Sequence, residues 1–196
     1  MPAFRSLRAL RSAVRLTAFA AAVSFAALWI ADPPSDSWAF PLSAYALTGV
    51  RSLWQLALAL TAVTVLLLAK LPFAERLVAK RRALIVSALG LAAVAIVPTD
   101  PWFPWEHFPT LHGAIHVLAT AVAMGSFALF AAMVVWTERR WTARLLPGSY
   151  VAGLTVTVGT VLVFIVIGRS TRFIGFAEWI LLGLSLACCA ESARTR

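Results

Sequence analysis

Acidic residues are scarce: eight Asp and Glu stand against 17 Lys and Arg in 196 residues, and the four types together make up only 13% of the chain. Soluble domains carry about 25% charged and about 45–50% apolar residues. Here the apolar share is 61% and the mean hydropathy +0.87, which excludes an ordinary soluble core and places the chain in the membrane class. Cysteine is nearly missing. Cys188 and Cys189 are the only two and are adjacent, so ordinary disulfide geometry excludes a bridged framework within the chain. Two readings of the pair stay open: small apolar side chains in a helix, or reversible palmitoylation at the inner interface. Long polar stretches are missing as well. Connections between apolar runs are about a dozen residues or fewer, too short to fold a soluble domain under the usual size limits. Any function therefore lies in the apolar bundle or at its rims. The sequence has no GxSxG, P-loop or GxGxxG pattern, so nucleotide chemistry has no support.

What the chain does have is apolar runs. A hydrocarbon core of ~30 Å asks for roughly 20 apolar residues per helix. Spans are expected near 14–31, 44–69, 83–98, 111–136, 150–168 and 173–190. The predicted fold is all-α, one domain over residues 1–196 built as a six-transmembrane-helix bundle. The third span is short unless Lys80, Arg81 and Arg82 snorkel from its lower end. Arg5, Arg8, Arg11 and Arg15 precede the first run, as in a signal peptide. Asp32-Pro33-Pro34 follows without a small-x-small cleavage site, so an uncleaved first helix is expected.

The net charge of +9 suggests a nucleic-acid partner until the charges are placed. The N-terminus, loop 70–82, loop 137–149 and the tail hold 14 of the 17 basic residues. Opposite loops 32–43 and 99–110 hold none and carry Asp32, Asp36, Asp100 and Glu106 instead. Arg169 and Arg172 lie in the third opposite loop. Basic flanks of this kind are cytoplasmic anchors, so both termini are expected in the cytoplasm and no nucleic acid is expected as a partner. Trp29, Trp38, Trp54, Trp102, Trp105 and Trp179 fall toward the outer side, with Trp136 and Trp141 at the inner one. An aromatic belt accounts for most of this; an aromatic-walled pocket is the alternative. Asp32-Pro33 is followed by Phe40-Pro41 at the same spacing as Asp100-Pro101 by Phe108-Pro109, a sign of a duplicated helix-hairpin unit.

The polar residues are concentrated in PTDPWFPWEHFPTLHGAIH, from Pro98 to His116, which holds all three histidines, His107, His112 and His116. His112 and His116 are four apart at the start of the fourth span, so their imidazoles share a helix face with Cβ atoms about 5–6 Å apart. This is the spacing of zinc-binding helices, without the Glu of HExxH. Zinc usually takes three or four protein ligands, and Asp100, Glu106, His107 or Glu178 could complete the set. A hydrogen-bonded pair that ties helices together is the plain alternative. An ionisable group within a span costs roughly 2.5–3.5 kcal/mol, so Arg51 and Glu178 each call for a partner. Thr48, Arg51, Ser52 and Gln55 share a face expected to point into the bundle. Two readings stay open: Arg51 snorkels alone to the outer headgroups and Glu178 is an interfacial carboxylate in water or faces the histidines, or Arg51 and Glu178 meet directly or through water. Small residues of the fifth span, Gly153, Thr155, Thr157, Gly159 and Thr160, suit close helix approach.

With six spans, Val97-Pro98-Thr99-Asp100-Pro101, then Leu111-His112-Gly113-Ala114-Ile115-His116, and a late Gly175-Phe176-Ala177-Glu178-Trp179, the chain resembles the bacterial six-helix membrane family catalogued as domain of unknown function 998. The TDP…LHGxxH segment is the most specific part, and Phe40 to Tyr45 matches more loosely. The resemblance implies a fold and a bacterial plasma (inner) membrane location, and no established activity. The expected working site is an outer-leaflet polar cavity. Asp100, His112, His116 and Glu178 are its catalytic candidates, Arg51 and Tyr45 its ligand-binding candidates, and His112 and His116 the metal ligands if zinc is bound. Two functions stay open beside the lipid bilayer as partner. One is a multi-pass binding or regulatory protein for a lipid or small molecule. The other is a metal- or His/carboxylate-dependent intramembrane hydrolase acting on lipids or lipid-linked substrates.

Overall fold

A computed structural model describes residues 2–33, 42–72, 77–101, 107–138, 142–166 and 174–195. Within them the chain folds as α1 (Pro2–Ala31), a 3-10 helix (Leu42–Leu47), α2 (Arg51–Leu68), α3 (Val78–Ile96), α4 (Leu111–Thr137), α5 (Thr142–Val166) and α6 (Ile174–Thr195). No strand occurs among the described residues. Ser6–Ala31, Arg51–Leu68 and Leu111–Thr137 are each long and apolar enough to cross a membrane. Asp36, Trp38 and Phe40-Pro41, Trp102, Trp105 and Glu106, Trp141, and Arg169 and Arg172 lie outside the described residues.

The helices outrun the apolar runs. Hydropathy sees only the greasy segment, whereas the backbone continues until something stops it. α1 includes the basic start and ends at Ala31, just before Asp32-Pro33, where the residue ahead of a proline is pushed out of the α region. α3 takes in Lys80, Arg81 and Arg82 and ends at Ile96, with Val97 already extended ahead of Pro98. α5 starts at Thr142, not near 150, and carries Pro147 inside it. Only the bond to the carbonyl four residues earlier is lost there. The second span is broken: its first turn is a separate 3-10 helix, and α2 begins at Arg51.

Successive helices pack side by side and close into a ring. α1 touches α2 and α6, α3 lies between α2 and α4, α5 between α4 and α6, and α2 also reaches α6. The start of α1 and the end of α6 lie at one end of the bundle, the termini end; Asp100, Thr110 and His116 lie at the other, the motif end. The termini end is filled by Val14, Leu68, Leu84, Phe130 and Tyr150, with Cys188 and Cys189 buried among them. Such packing is the plain reading of the cysteine pair. The motif end is filled by Phe25, Leu28, Tyr45, Trp54, Val94 and Leu182. Every helix also exposes large apolar side chains, among them Phe19, Leu56, Leu89, Leu118, Val156 and Ile180.

α3 and α4 approach each other closely at Gly90. A Cβ added at Gly90 would lie 2.9 Å from the carbonyl oxygen of Ala119 and 2.9 Å from the amide nitrogen of Ala123. Ser87 strengthens the contact by donating to the Ala123 carbonyl at 2.9 Å. The small residues of α5 do less. Gly153 would make ordinary contact with Leu181, and Gly159 faces open space. At the termini end Lys80 does not snorkel. It is 3% exposed, and its Nζ donates to Thr137 Oγ1 at 2.6 Å, joining the start of α3 to the end of α4. Arg81 and Arg82 point outward.

Candidate functional site

The head of α4 is assembled from the motif residues themselves. Thr110 is the N-cap, and its side chain accepts from the Gly113 amide at 3.1 Å. One of the helix's orphan N–H groups is thereby satisfied. Thr110 in turn gives both its donors to Asp100: its amide to Oδ2 at 2.9 Å and its hydroxyl to Oδ1 at 2.6 Å. The carboxylate then lies over the first turn of α4, where the helix dipole favours a negative charge. A Cβ on Gly113 would meet Asp100 Oδ2 at 1.9 Å. Glycine stands between the two histidines because the carboxylate occupies the place of a side chain.

The histidines separate. The buried stripe of α4 runs through Gly113, His116, Ala119, Ala123, Phe127, Phe130 and Val134. His116 is 3% exposed, whereas His112 is exposed. His116 is level with the end of α3, since its Nδ1 is 2.8 Å from the Val97 carbonyl oxygen. His112 stands about 6 Å further along the axis, at 1.5 Å per residue, and clears that end. A carbonyl only accepts, so Nδ1 carries the proton, and Nε2 of the neutral ring is left as an acceptor. That Nε2 is buried without a hydrogen-bond partner. The imidazole stacks on Trp54 of α2, with ring centroids 6.3 Å apart and planes at 18°. The Trp54 indole Nε1 is also buried without a partner. Beside them Gln55 donates to the Ala95 carbonyl at 3.0 Å. Gln55 is the member of the second span's polar face that reaches another helix; the Val97 carbonyl and Trp54 carry no such sequence signal, since a tryptophan near a membrane interface reads as belt. Thr110 carries an N-cap signal in the sequence.

Glu178 serves another element. Its Oε2 accepts from the Leu42 amide at 2.7 Å, and the Ser43 amide also faces it. The carboxylate of α6 thus caps the start of the 3-10 helix. Tyr45 lies on that 3-10 helix, with its hydroxyl donating to the Asp32 carbonyl at 3.0 Å. Its ring meets Trp179 edge-on at 6.1 Å, as Phe25 and Trp29 also do at 5.9 and 5.7 Å. Trp29 and Trp136 are exposed as belt residues should be, but Trp54 is core. Arg51 and Ser52 are exposed, so the polar face of the second span does not turn inward as a unit. Thr48 bonds its own turn through the Tyr45 carbonyl and the Val50 amide. No ion pair joins Arg51 to Glu178 among the described residues. Nor does any hydrogen bond or ion pair join Glu178 to Asp100, His112 or His116. Among the described residues, no three His, Cys, Asp or Glu side chains come together as a metal site.

No curated protein and no solved structure matches the chain. A family model does, over residues 15–191, a stretch that includes both the TDP…HGxxH segment and Glu178. The chain belongs to the family described as Protein of unknown function (DUF998).

Proposed function

We propose that the chain is a six-pass protein of a bacterial plasma membrane, with both termini in the cytoplasm. Its motif end is then a binding and regulatory site facing the outer leaflet. The apolar side chains exposed on all six helices support the membrane reading, because soluble monomers rarely present such surface continuously. The orientation rests on charge. Arg8, Lys70, Arg81, Arg82 and Arg194 belong to the termini end, and Asp32, Asp100 and Glu178 to the other.

One observation carries the binding function. Two stacked rings, His116 and Trp54, each bury a polar nitrogen without a partner, one an acceptor and one a donor. Leaving such a group unmet costs about 1–3 kcal/mol. A guest hydroxyl, on a lipid or a small molecule, has the chemistry for either: it accepts from the indole or donates to the imidazole. Arg51, exposed at the head of α2 and three residues before Trp54, is available to an anionic group on the same guest. Asp100 and Glu178 each already accept a backbone N–H group, which favours binding over acid–base chemistry. The hydrolase reading draws on the same nitrogen. His116 Nε2 could act as a general base on a bound water, or ligate zinc together with His112 one turn above.

Nitrogen-15 spectra of labelled His and Trp in nanodiscs test the proposal. Protein carrying its native lipids should differ from delipidated protein in the Trp54 indole and His116 Nε2 resonances, assigned through Trp54→Phe and His116→Phe. Identical spectra overturn the binding site. Stoichiometric zinc, or cleavage of a supplied phospholipid that His116→Gln abolishes, would establish the hydrolase in its place.

A further inference from the structure

We infer that the termini end carries a phosphate site for an anionic lipid, built on Arg8, Arg11 and Arg15 of α1. The inference rests on the membrane reading above but not on which side each end faces. The three arginines are three and four residues apart and so share one face of the helix, where neighbouring side chains repel unless a counter-charge lies between them. Arg8 and Arg15 are exposed and Arg11 is half-buried. The Arg11 Nε is covered and has no hydrogen-bond partner. Its guanidinium is therefore held against the bundle, while its charge is not neutralised from within. Among the described residues no ion pair reaches any of the three.

The same face explains why the phosphate should belong to a lipid. Phe19 lies one turn beyond Arg15 and Val23 one turn beyond Phe19, and both are exposed. A phosphate held by the arginines would leave its acyl chain lying along these two side chains. Guanidinium forks match phosphate oxygens two at a time, which a lysine ammonium cannot do. α1 carries arginine at all three positions.

Thermal unfolding of the full chain in nanodiscs tests this. Discs of phosphatidylcholine alone are compared with discs containing phosphatidylglycerol; both leaflets have the same composition, so orientation plays no part. Phosphatidylglycerol should raise the Tm of the wild type. Arg11→Gln should lose most of that increment, Arg11→Lys part of it, and Arg82→Gln, an exposed arginine of α3 at the same end, little. The readout is a difference between lipids, so a general loss of stability cancels. If Arg11→Gln does not fold, Arg8→Gln should still lose part of the increment. Three results would overturn the site: no rise with phosphatidylglycerol, equal losses at Arg11 and Arg82, or a full rise in phosphatidylcholine discs given inorganic phosphate.

Discussion

At Gly113 the side chain is missing because a carboxylate from ten residues upstream of the N-cap fills its place. The approach of Asp100 Oδ2 to within 1.9 Å of a would-be Cβ leaves no room for alanine without breaking the bonds from Thr110. Gly113→Ala should cost about 1–3 kcal/mol, the usual range for overpacking. Asp100→Ala should cost about 0.5–2 kcal/mol as a lost helix cap. The double variant should lose clearly less than the sum, because removing the carboxylate makes room for the methyl. Strictly additive losses in a thermal-unfolding cycle would disprove the contact. Arg51 and Glu178 should behave in the opposite way. Sequence reasoning pairs them, since each is an isolated charge in a span. The structure gives the carboxylate to Leu42 and leaves the arginine outward. Arg51→Ala and Glu178→Ala should therefore add within about 0.3–0.5 kcal/mol, with Glu178→Ala much the larger. A strong coupling term would restore the pair.

For the helices, hydropathy located each apolar run but not its ends. Those are decided by prolines and caps, or by polar turns that remain helical, as in α1 and α3. A small-residue spacing suits α5 to packing, and Gly153 meets Leu181 of α6 at ordinary contact distance, but the spacing says nothing about how closely a neighbour lies opposite it. Gly90 shows the difference. Alanine is the better helix former by about 0.5–1 kcal/mol, but its methyl would fall 2.9 Å from backbone atoms of α4 that cannot swing aside. Gly90→Ala should lower stability by about 1–3 kcal/mol and Gly90→Val by more. Gly125→Ala, on α4 with nothing within 4 Å, should be neutral or stabilising. If Tm fell equally for Gly90→Ala and Gly125→Ala, the close approach would not be what makes glycine necessary.

At the scale of the whole molecule, the start of α1 and the end of α6 pack into the same end of the bundle. Whether that side is the cytoplasm is tested by labelling from outside the cell, in a background of Cys188→Ala and Cys189→Ala. Phe108→Cys, at a residue 99% exposed at the motif end, should react; Val78→Cys, 61% exposed at the termini end, should not. The reverse pattern would invert the topology and place the histidine–tryptophan site on the inner side.

Taken by themselves, the residues determined the helical class, the apolar runs, the family and the location of the unusual polarity. These are properties of composition, of one-dimensional charge placement, and of motifs lying close together in the chain. Tertiary structure decided what each polar group does. Nothing in the i, i+4 spacing of His112 and His116 says that α3 ends between their levels, so that one ring is buried and the other clears the bundle. The partner of His116 is a carbonyl on another helix, its stacking surface a tryptophan more than 60 residues earlier, and the partner of Glu178 an amide 136 residues away. Such pairings depend on which helices become neighbours and how deep each one sits, which a local pattern does not contain.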